Sequence, residues 1–156
     1  MKKIEDKVYE KLKNKGYKVA TAESCTGGLL AGKLINVSGA SDIIDMSFVT
    51  YSNDAKCKLV NVDAKTIEKY NVVSEEVAKE MAVGAKNKAG CEVGLSTTGI
   101  AGPNGGDEER PVGTICFGIA INDDVYTYRY VFKSISRQHI RKEGVNFILE
   151  KLNELL

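Results

Sequence analysis

Thr21-Ala22-Glu23-Ser24-Cys25-Thr26-Gly27-Gly28 is the stretch on which the reading of this chain turns. The apolar run from Tyr17 to Ala20 before it reads as a strand, and Leu29-Leu30-Ala31-Gly32-Lys33-Leu34-Ile35 after it reads as a helix reaching about Asn36. Glycines at such a turn let the backbone bend sharply and come close to a ligand. The first N–H groups of the helix have no partner within it and face whatever occupies the turn. A turn of this kind can bind a phosphate or stabilise an oxyanion. Ser24 is then a candidate nucleophile. The plainer alternative is that Ser24 or Thr26 only caps the helix.

Outward from the turn, the chain reads as alternating helices and strands. Ile4, Val8 and Leu12 recur at helical spacing, so residues 3–15 form an amphipathic helix ending near Gly16. Ile43 to Tyr51 reads as a second strand, Asn53 as the cap of a short helix, and Asp63 as the cap of another ending near Tyr70. Ser74-Glu75-Glu76 opens a longer helix with Lys86 and Lys88 in its last turn and Gly90 beyond it. Val93 to Thr98 is a third strand, followed by the second glycine-rich segment, 99–106. Val112 to Ile121 and Val125 to Phe132 flank Asn122-Asp123-Asp124 as an antiparallel hairpin, and Ser136 starts a final helix. This is an α/β pattern: one domain, 1–156, with helices on both faces of a mixed sheet of about five strands, a three-layer α/β/α sandwich ending in a C-terminal hairpin. Both glycine-rich segments follow strands, and sites in open α/β sheets lie at the carboxyl ends of strands, so one shared cleft is expected.

Composition bounds the function. The 156 residues are 43% hydrophobic and 28% charged with a formal net charge of +1, which gives no electrostatic case for nucleic acid or an anionic membrane. No apolar run approaches the ~20 residues that span a bilayer. Met1 to Lys15 is charged throughout and does not read as a signal peptide, so a cytoplasmic location is expected. Cys25, Cys57, Cys91 and Cys116 are widely spaced, with no C-x-x-C pair, and the lone His139 is far from all of them; neither disulfides nor a zinc site is expected. Cys91 and Cys116 read as small core residues.

Neither glycine segment matches G-x-G-x-x-G or G-x-x-x-x-G-K-[ST], which argues against a dinucleotide fold and an NTPase. A Ser-His-Asp triad would need His139, but it lies between Arg137 and Arg141, whose charges oppose an imidazolium. Ser-Lys pairs are a recurring variant. Most lysines here sit among charges on helix faces. Lys56 falls in the first turn of a helix, where the macrodipole disfavours a cation, and burial in a cleft would lower its pKa further. An ordinary exposed lysine is the alternative.

Taken together, residues 21–28, Tyr51-Ser52-Asn53 with Lys56, Thr98-Gly99-Ile100-Ala101-Gly102-Pro103 with Gly105-Gly106, and Pro111-Val112-Gly113 resemble the CinA C-terminal domain family in the same motif order, over nearly the whole chain. Its enzymatic members are nicotinamide-nucleotide amidohydrolases. Longer members carry an additional N-terminal nucleotide-processing domain, and this chain resembles the stand-alone form. The resemblance implies hydrolysis of the carboxamide of nicotinamide mononucleotide to nicotinic acid mononucleotide and ammonia. It implies Ser24 as nucleophile, with Lys56 and Tyr51 nearby; Lys56 would take the serine proton, Lys56 or Tyr51 would return one to ammonia, and such chemistry requires no metal or cofactor. Arg110 stands where many relatives have lysine before Pro-Val-Gly, and keeps the charge for a phosphate contact.

On that reading, N–H groups of Thr26, Gly27 and Gly28 would hold the oxyanion, while Thr98, Gly99, Gly102 and Asn104 would surround the ring or ribosyl phosphate. Arg137 and Arg141, one helical turn apart, would reach the phosphate or else form a solvated helix start. The expected partner is a small pyridine nucleotide, with no nucleic acid or membrane, and a homo-oligomer, dimer or trimer, is expected. Two other classes compete: a non-catalytic nucleotide-binding module, and a thiol hydrolase with Cys25 as nucleophile.

Overall fold

The computed structural model describes residues 1–134 and 136–156. The elements are α1 (Ile4–Lys15), β1 (Val19–Glu23), α2 (Leu29–Leu34), a 3₁₀ turn (Ala40–Asp42), β2 (Phe48–Val49), α3 (Asn53–Val60), α4 (Ala64–Tyr70), α5 (Glu75–Ala89), β3 (Val93–Gly99), β4 (Thr114–Ile121), β5 (Asp124–Val131) and α6 (Arg137–Leu155). The strands form one sheet in the order β2-β1-β3-β4-β5. β1 runs parallel to β2 and β3, whereas β3-β4 and β4-β5 are antiparallel. The three-layer sandwich with a mixed five-stranded sheet is therefore the observed fold.

Side-chain alternation along the strands builds the two outer layers. Leu95, Ile115, Phe117 and Ile119 point to one face and pack with Val8 and Leu12 of α1, Leu30 and Leu34 of α2, and Ile140, Ile148 and Leu152 of α6. On the other face Ala20 and Ala22 of β1 meet Val60, Val77, Met81 and Ala85 from α3 and α5. Each fully buried branched side chain contributes roughly 1.5–3 kcal/mol, so these two clusters are what hold the layers together. The α3 layer is also fixed by close backbone approach: a Cβ at Gly84 of α5 would come within 1.8 Å of the Val60 carbonyl oxygen at the end of α3.

Helix α5 begins and ends on its own sequence signals. Ser74 accepts from the Val77 N–H, acids occupy the first turn and lysines the last, and Gly90 closes the helix in the left-handed region at φ 63°. Asp63 caps α4 and Ser136 caps α6, as expected.

Four local expectations are corrected. Strand β1 continues to Glu23, so the first half of the anchor stretch is sheet, and α2 stops at Leu34. The expected strand from Ile43 to Tyr51 is only Phe48–Val49; Ile43 is buried directly after the 3₁₀ turn, donating its N–H to Ala40. The cap of α3 is Ser52, whose hydroxyl accepts from Ala55 N–H at 3.0 Å, not Asn53. Neither Ser24 nor Thr26 caps α2: Gly28 occupies that position at φ 103°, and the amides are satisfied by a carboxylate described below.

Candidate active site

The parallel strands β2, β1 and β3 end together, and the turn after β1 is stitched to both neighbours. Thr50 N–H donates to Glu23 C=O at 2.7 Å and Ser24 N–H donates to Thr97 C=O at 3.0 Å, so the ladder extends one residue past the strand. Ser24 is thereby delivered to the carboxyl edge of the sheet, with 9% of its surface exposed.

Lys56 reaches the same point from the first turn of α3. Its side chain is almost wholly buried, with 1% exposed, and its Nζ lies 3.0 Å from Ser24 Oγ, 2.9 Å from Thr50 C=O and 3.4 Å from Tyr51 C=O. Burial holds the Lys56 pKa below its ordinary value. A neutral amine has two N–H donors and one lone pair. With the two carbonyls taking those N–H groups, the lone pair is left for the serine O–H; in the ammonium form the Ser24 hydroxyl is instead the third acceptor, and Ser24 Oγ itself lies 3.5 Å from Tyr51 C=O.

Ser24 and Lys56 line a cleft of about 300 Å³. Of the other residues singled out from sequence, Tyr51, Thr98, Gly99, Gly102, Asn104 and Arg137 line it too. The Tyr51 contribution near Ser24 is its carbonyl, while its phenol is exposed and accepts from Arg137 Nη2 at 3.0 Å. Arg137 also donates to Gly102 C=O at 2.8 Å, so its guanidinium ties the two rims together and keeps N–H groups to spare. The Thr98 hydroxyl donates to Val72 C=O at 2.9 Å.

Thr26, Gly27, Gly28 and Arg141 fall outside the cleft lining. Thr26 is fully buried, its hydroxyl 2.7 Å from Glu23 Oε1 and 2.8 Å from Thr97 Oγ1. Gly27 N–H donates to Ser24 C=O, and Gly28 N–H to Glu23 Oε1. These two amides are thus occupied, which corrects their expected part in an oxyanion site. Arg141 donates to Cys25 C=O at 2.8 Å and Thr26 C=O at 3.1 Å, an internal engagement rather than the expected free phosphate contact. Arg110 is similarly used, on Val73 C=O and Tyr70 C=O, and His139 pairs with Glu143 away from the cleft.

Sequence reasoning missed Glu23. Its side chain is fully buried, and its two oxygens accept from Gly28, Leu30 and Ala31 N–H and from the hydroxyls of Thr21 and Thr26. Three N–H groups and two hydroxyls converge on its two oxygens, and the side chain caps α2 from the end of the neighbouring strand. The available signal was a single acid at the end of an apolar strand directly before a helix. Asn53, read as a cap, lines the cleft instead.

Cys25 is the natural rival to Ser24. It is buried, and burial pushes its thiol up to about 12, the opposite of what a thiolate nucleophile needs. Among the described residues no cluster of three or more His, Cys, Asp or Glu side chains is placed to hold a metal ion, and no helix is long and apolar enough to cross a membrane.

A three-layer α/β sandwich whose parallel strands end on a buried serine–lysine contact is the class of protein that this geometry defines. The family model of the CinA C-terminal domain matches residues 1–156, and the chain belongs to that family. A CinA-like protein of Chloroherpeton thalassium is 41% identical over 157 residues, covering 96% of this chain and 37% of that protein. The chain spans a little over a third of the length of the curated relatives it matches, 37% in the case just given. Among solved structures, a competence-damaged protein (CinA) superfamily protein from Escherichia coli superposes with a TM-score of 0.93 at 35% identity, covering 99% of this chain and 91% of that one. The competence/damage inducible protein CihA from Agrobacterium tumefaciens gives 0.92 at 37% identity, covering 97% and 94%.

Proposed function

We propose that this chain hydrolyses the carboxamide of nicotinamide mononucleotide, yielding nicotinic acid mononucleotide and ammonia. The observation that carries the reading is the 3.0 Å contact between Lys56 Nζ and Ser24 Oγ, with the amine buried and its remaining donors on carbonyls. Ser24 Oγ attacks the carboxamide carbon as its proton passes to Lys56 Nζ, and the carbonyl oxygen becomes an oxyanion. Lys56 then returns that proton to the amide nitrogen, the C–N bond breaks, and ammonia leaves a seryl ester. A water gives its proton to Lys56 and attacks the ester; Ser24 departs and recovers the proton.

Among the described residues neither Cys25 N–H nor Thr26 N–H has an acceptor; Cys25 lines the cleft, so its N–H is the turn's donor for the oxyanion, while Thr26 is fully buried outside the lining. The Tyr51 phenol, Thr98, Gly99, Gly102 and Asn104 shape the cleft around ring and ribose. Arg137, facing the cleft with unused N–H groups, is the cation for the phosphate. Chemistry of this type needs no cofactor.

The test is ammonia release from nicotinamide, its riboside, its mononucleotide and the dinucleotide, with chelator present. The mononucleotide should turn over fastest and free nicotinamide far more slowly, because phosphate binding helps position the amide. Ser24→Ala should abolish turnover in a folded protein. Mononucleotide binding without turnover would leave a nucleotide-binding module and overturn the enzymatic reading.

A further inference from the structure

Arg141 stands on α6, 116 residues from Cys25 in sequence, yet its Nε donates to Cys25 C=O at 2.8 Å and its Nη2 to Thr26 C=O at 3.1 Å. One guanidinium therefore grips two consecutive carbonyls of the turn that presents Ser24. The approach is tight: a Cβ on Gly27 would lie 3.2 Å from Nη2, and Gly27 itself sits at φ 55°. The left-handed conformation favours glycine there, and a side chain would crowd the cation.

A trans peptide is planar, with its N–H directed opposite to its C=O. The Cys25 carbonyl points at the guanidinium, so the Thr26 N–H of the same peptide points away from it. That N–H has no acceptor among the described residues. A cation on the carbonyl oxygen also draws charge along the peptide and leaves the N–H a stronger donor. On the opposite flank Glu23 consumes the amides of Gly28, Leu30 and Ala31. The turn is thus held by an anion on its later amides and by a cation on its earlier carbonyls. What remains free between them is the pair of N–H groups beside Ser24.

We infer that Arg141 is a positioning residue for the amide hydrolysis, fixing the Cys25 and Thr26 carbonyls so that the turn presents Ser24 and the donors beside it to the reacting carbonyl, and that it is not a phosphate ligand. The inference rests on the amidohydrolase reading. A misplacement of about 1 Å in such a donor can cost ~100-fold in rate. Binding of the intact substrate involves no oxyanion and is spared.

The experiment compares wild type with Arg141→Met, which keeps an apolar stem, and Arg141→Lys, which keeps the charge without the fork. Thermal melting first establishes that each variant is folded. Turnover of the mononucleotide and of the riboside is then measured, together with binding of two non-hydrolysable ligands. One is nicotinic acid mononucleotide. The other is the mononucleotide of pyridine-3-carbaldehyde, whose carbonyl adds Ser24 Oγ to form a hemiacetal oxyanion.

Arg141→Met should lose roughly 100-fold in kcat on both substrates, with KM changed less than about threefold. Aldehyde affinity should fall by a similar factor while acid affinity holds, and added guanidinium ion should restore part of the rate. Arg141→Lys should fall in between. A rise in KM for the mononucleotide alone would make Arg141 a phosphate ligand and overturn the inference. Equal loss of aldehyde and acid binding would overturn it as general damage to the cleft, and so would an unchanged kcat. Wild-type protein without turnover on any pyridine amide would overturn the amidohydrolase reading itself, a result distinct from all of these.

Discussion

Replacing Glu23 with glutamine preserves shape and removes one acceptor, so its cost can be worked from the bonds that Glu23 makes. Oε1 takes three donors, Thr26 Oγ1, Gly28 N–H and Leu30 N–H; Oε2 takes two, Thr21 Oγ1 and Ala31 N–H. The glutamine NH₂ therefore settles at the Oε2 position. The Thr21 hydroxyl can rotate and accept from it. Ala31 N–H cannot, and it faces a donor where it had an acceptor, at a cost of roughly 1–3 kcal/mol. The lost negative charge at the start of α2 adds about 0.3–1 kcal/mol, more at a buried site. The sum is near 3 kcal/mol, which in a domain of this size lowers Tm by roughly 6–12 °C. Thermal unfolding followed by circular dichroism, with urea unfolding to check that the m-value is unchanged, measures it. A Tm within about 2 °C of wild type would refute the reasoning, because it would mean water or a shifted backbone serves the Ala31 amide as well as the carboxylate does.

Lys56 carries the pH dependence. Its native pKa lies below the unfolded value of ~10.4, so between the two the unfolded chain binds a proton that the native protein does not, and stability rises with pH there. The stability of wild type relative to Lys56→Met should therefore increase from pH 7 toward pH ~10, and a constant difference would remove the case for a depressed amine. Lys56→Arg should keep less than a tenth of the single-turnover rate, since arginine cannot release its proton and general-base help is typically worth ~100-fold or more. Cys25, buried with its thiol pushed up to about 12, should resist iodoacetamide at pH 7.5 in the native protein while Cys57, which is partly exposed, is alkylated. Mass spectrometry of the labelled peptides decides this, and rapid labelling of Cys25 with loss of activity would revive the thiol reading.

The parts of this structure legible in the sequence are those whose causes are local. Ser74, the acids after it and Gly90 bracket α5 because capping and dipole effects act within one turn. Ser24 and Lys56 emerge because a strand–turn–helix and a first-turn lysine are short-range patterns. The Ile43–Tyr51 stretch misled because apolar content alone cannot tell a strand from a 3₁₀ turn that buries Ile43 by reversing the chain. Ser52 and Asn53 are both good caps, and only the path of the backbone selects between them. Glu23 was illegible for a different reason. One of its five donors, Thr21, is in β1, and the other four come from the turn and α2, whose path brings them onto the carboxyl group only once β1 is in place. Arg141 is the extreme case, since the carbonyls it holds are far away in sequence and a carbonyl has no side-chain signature.

The contact of Gly84 with the Val60 carbonyl has a mechanical meaning for the catalytic pair. Lys56 rides on α3, Ser24 follows β1, and α5 packs against both α3 and the sheet as a common datum. At Gly84 the approach of α3 to α5 is set by the Val60 main chain, beside the side-chain packing of Val60 with Val77 and Met81. The gap between amine and hydroxyl is then a tolerance inherited from main-chain dimensions, as in a jig machined from one block. A single methyl group at position 84, touching neither residue, would tilt the helix carrying Lys56 and pull the base out of register with the serine.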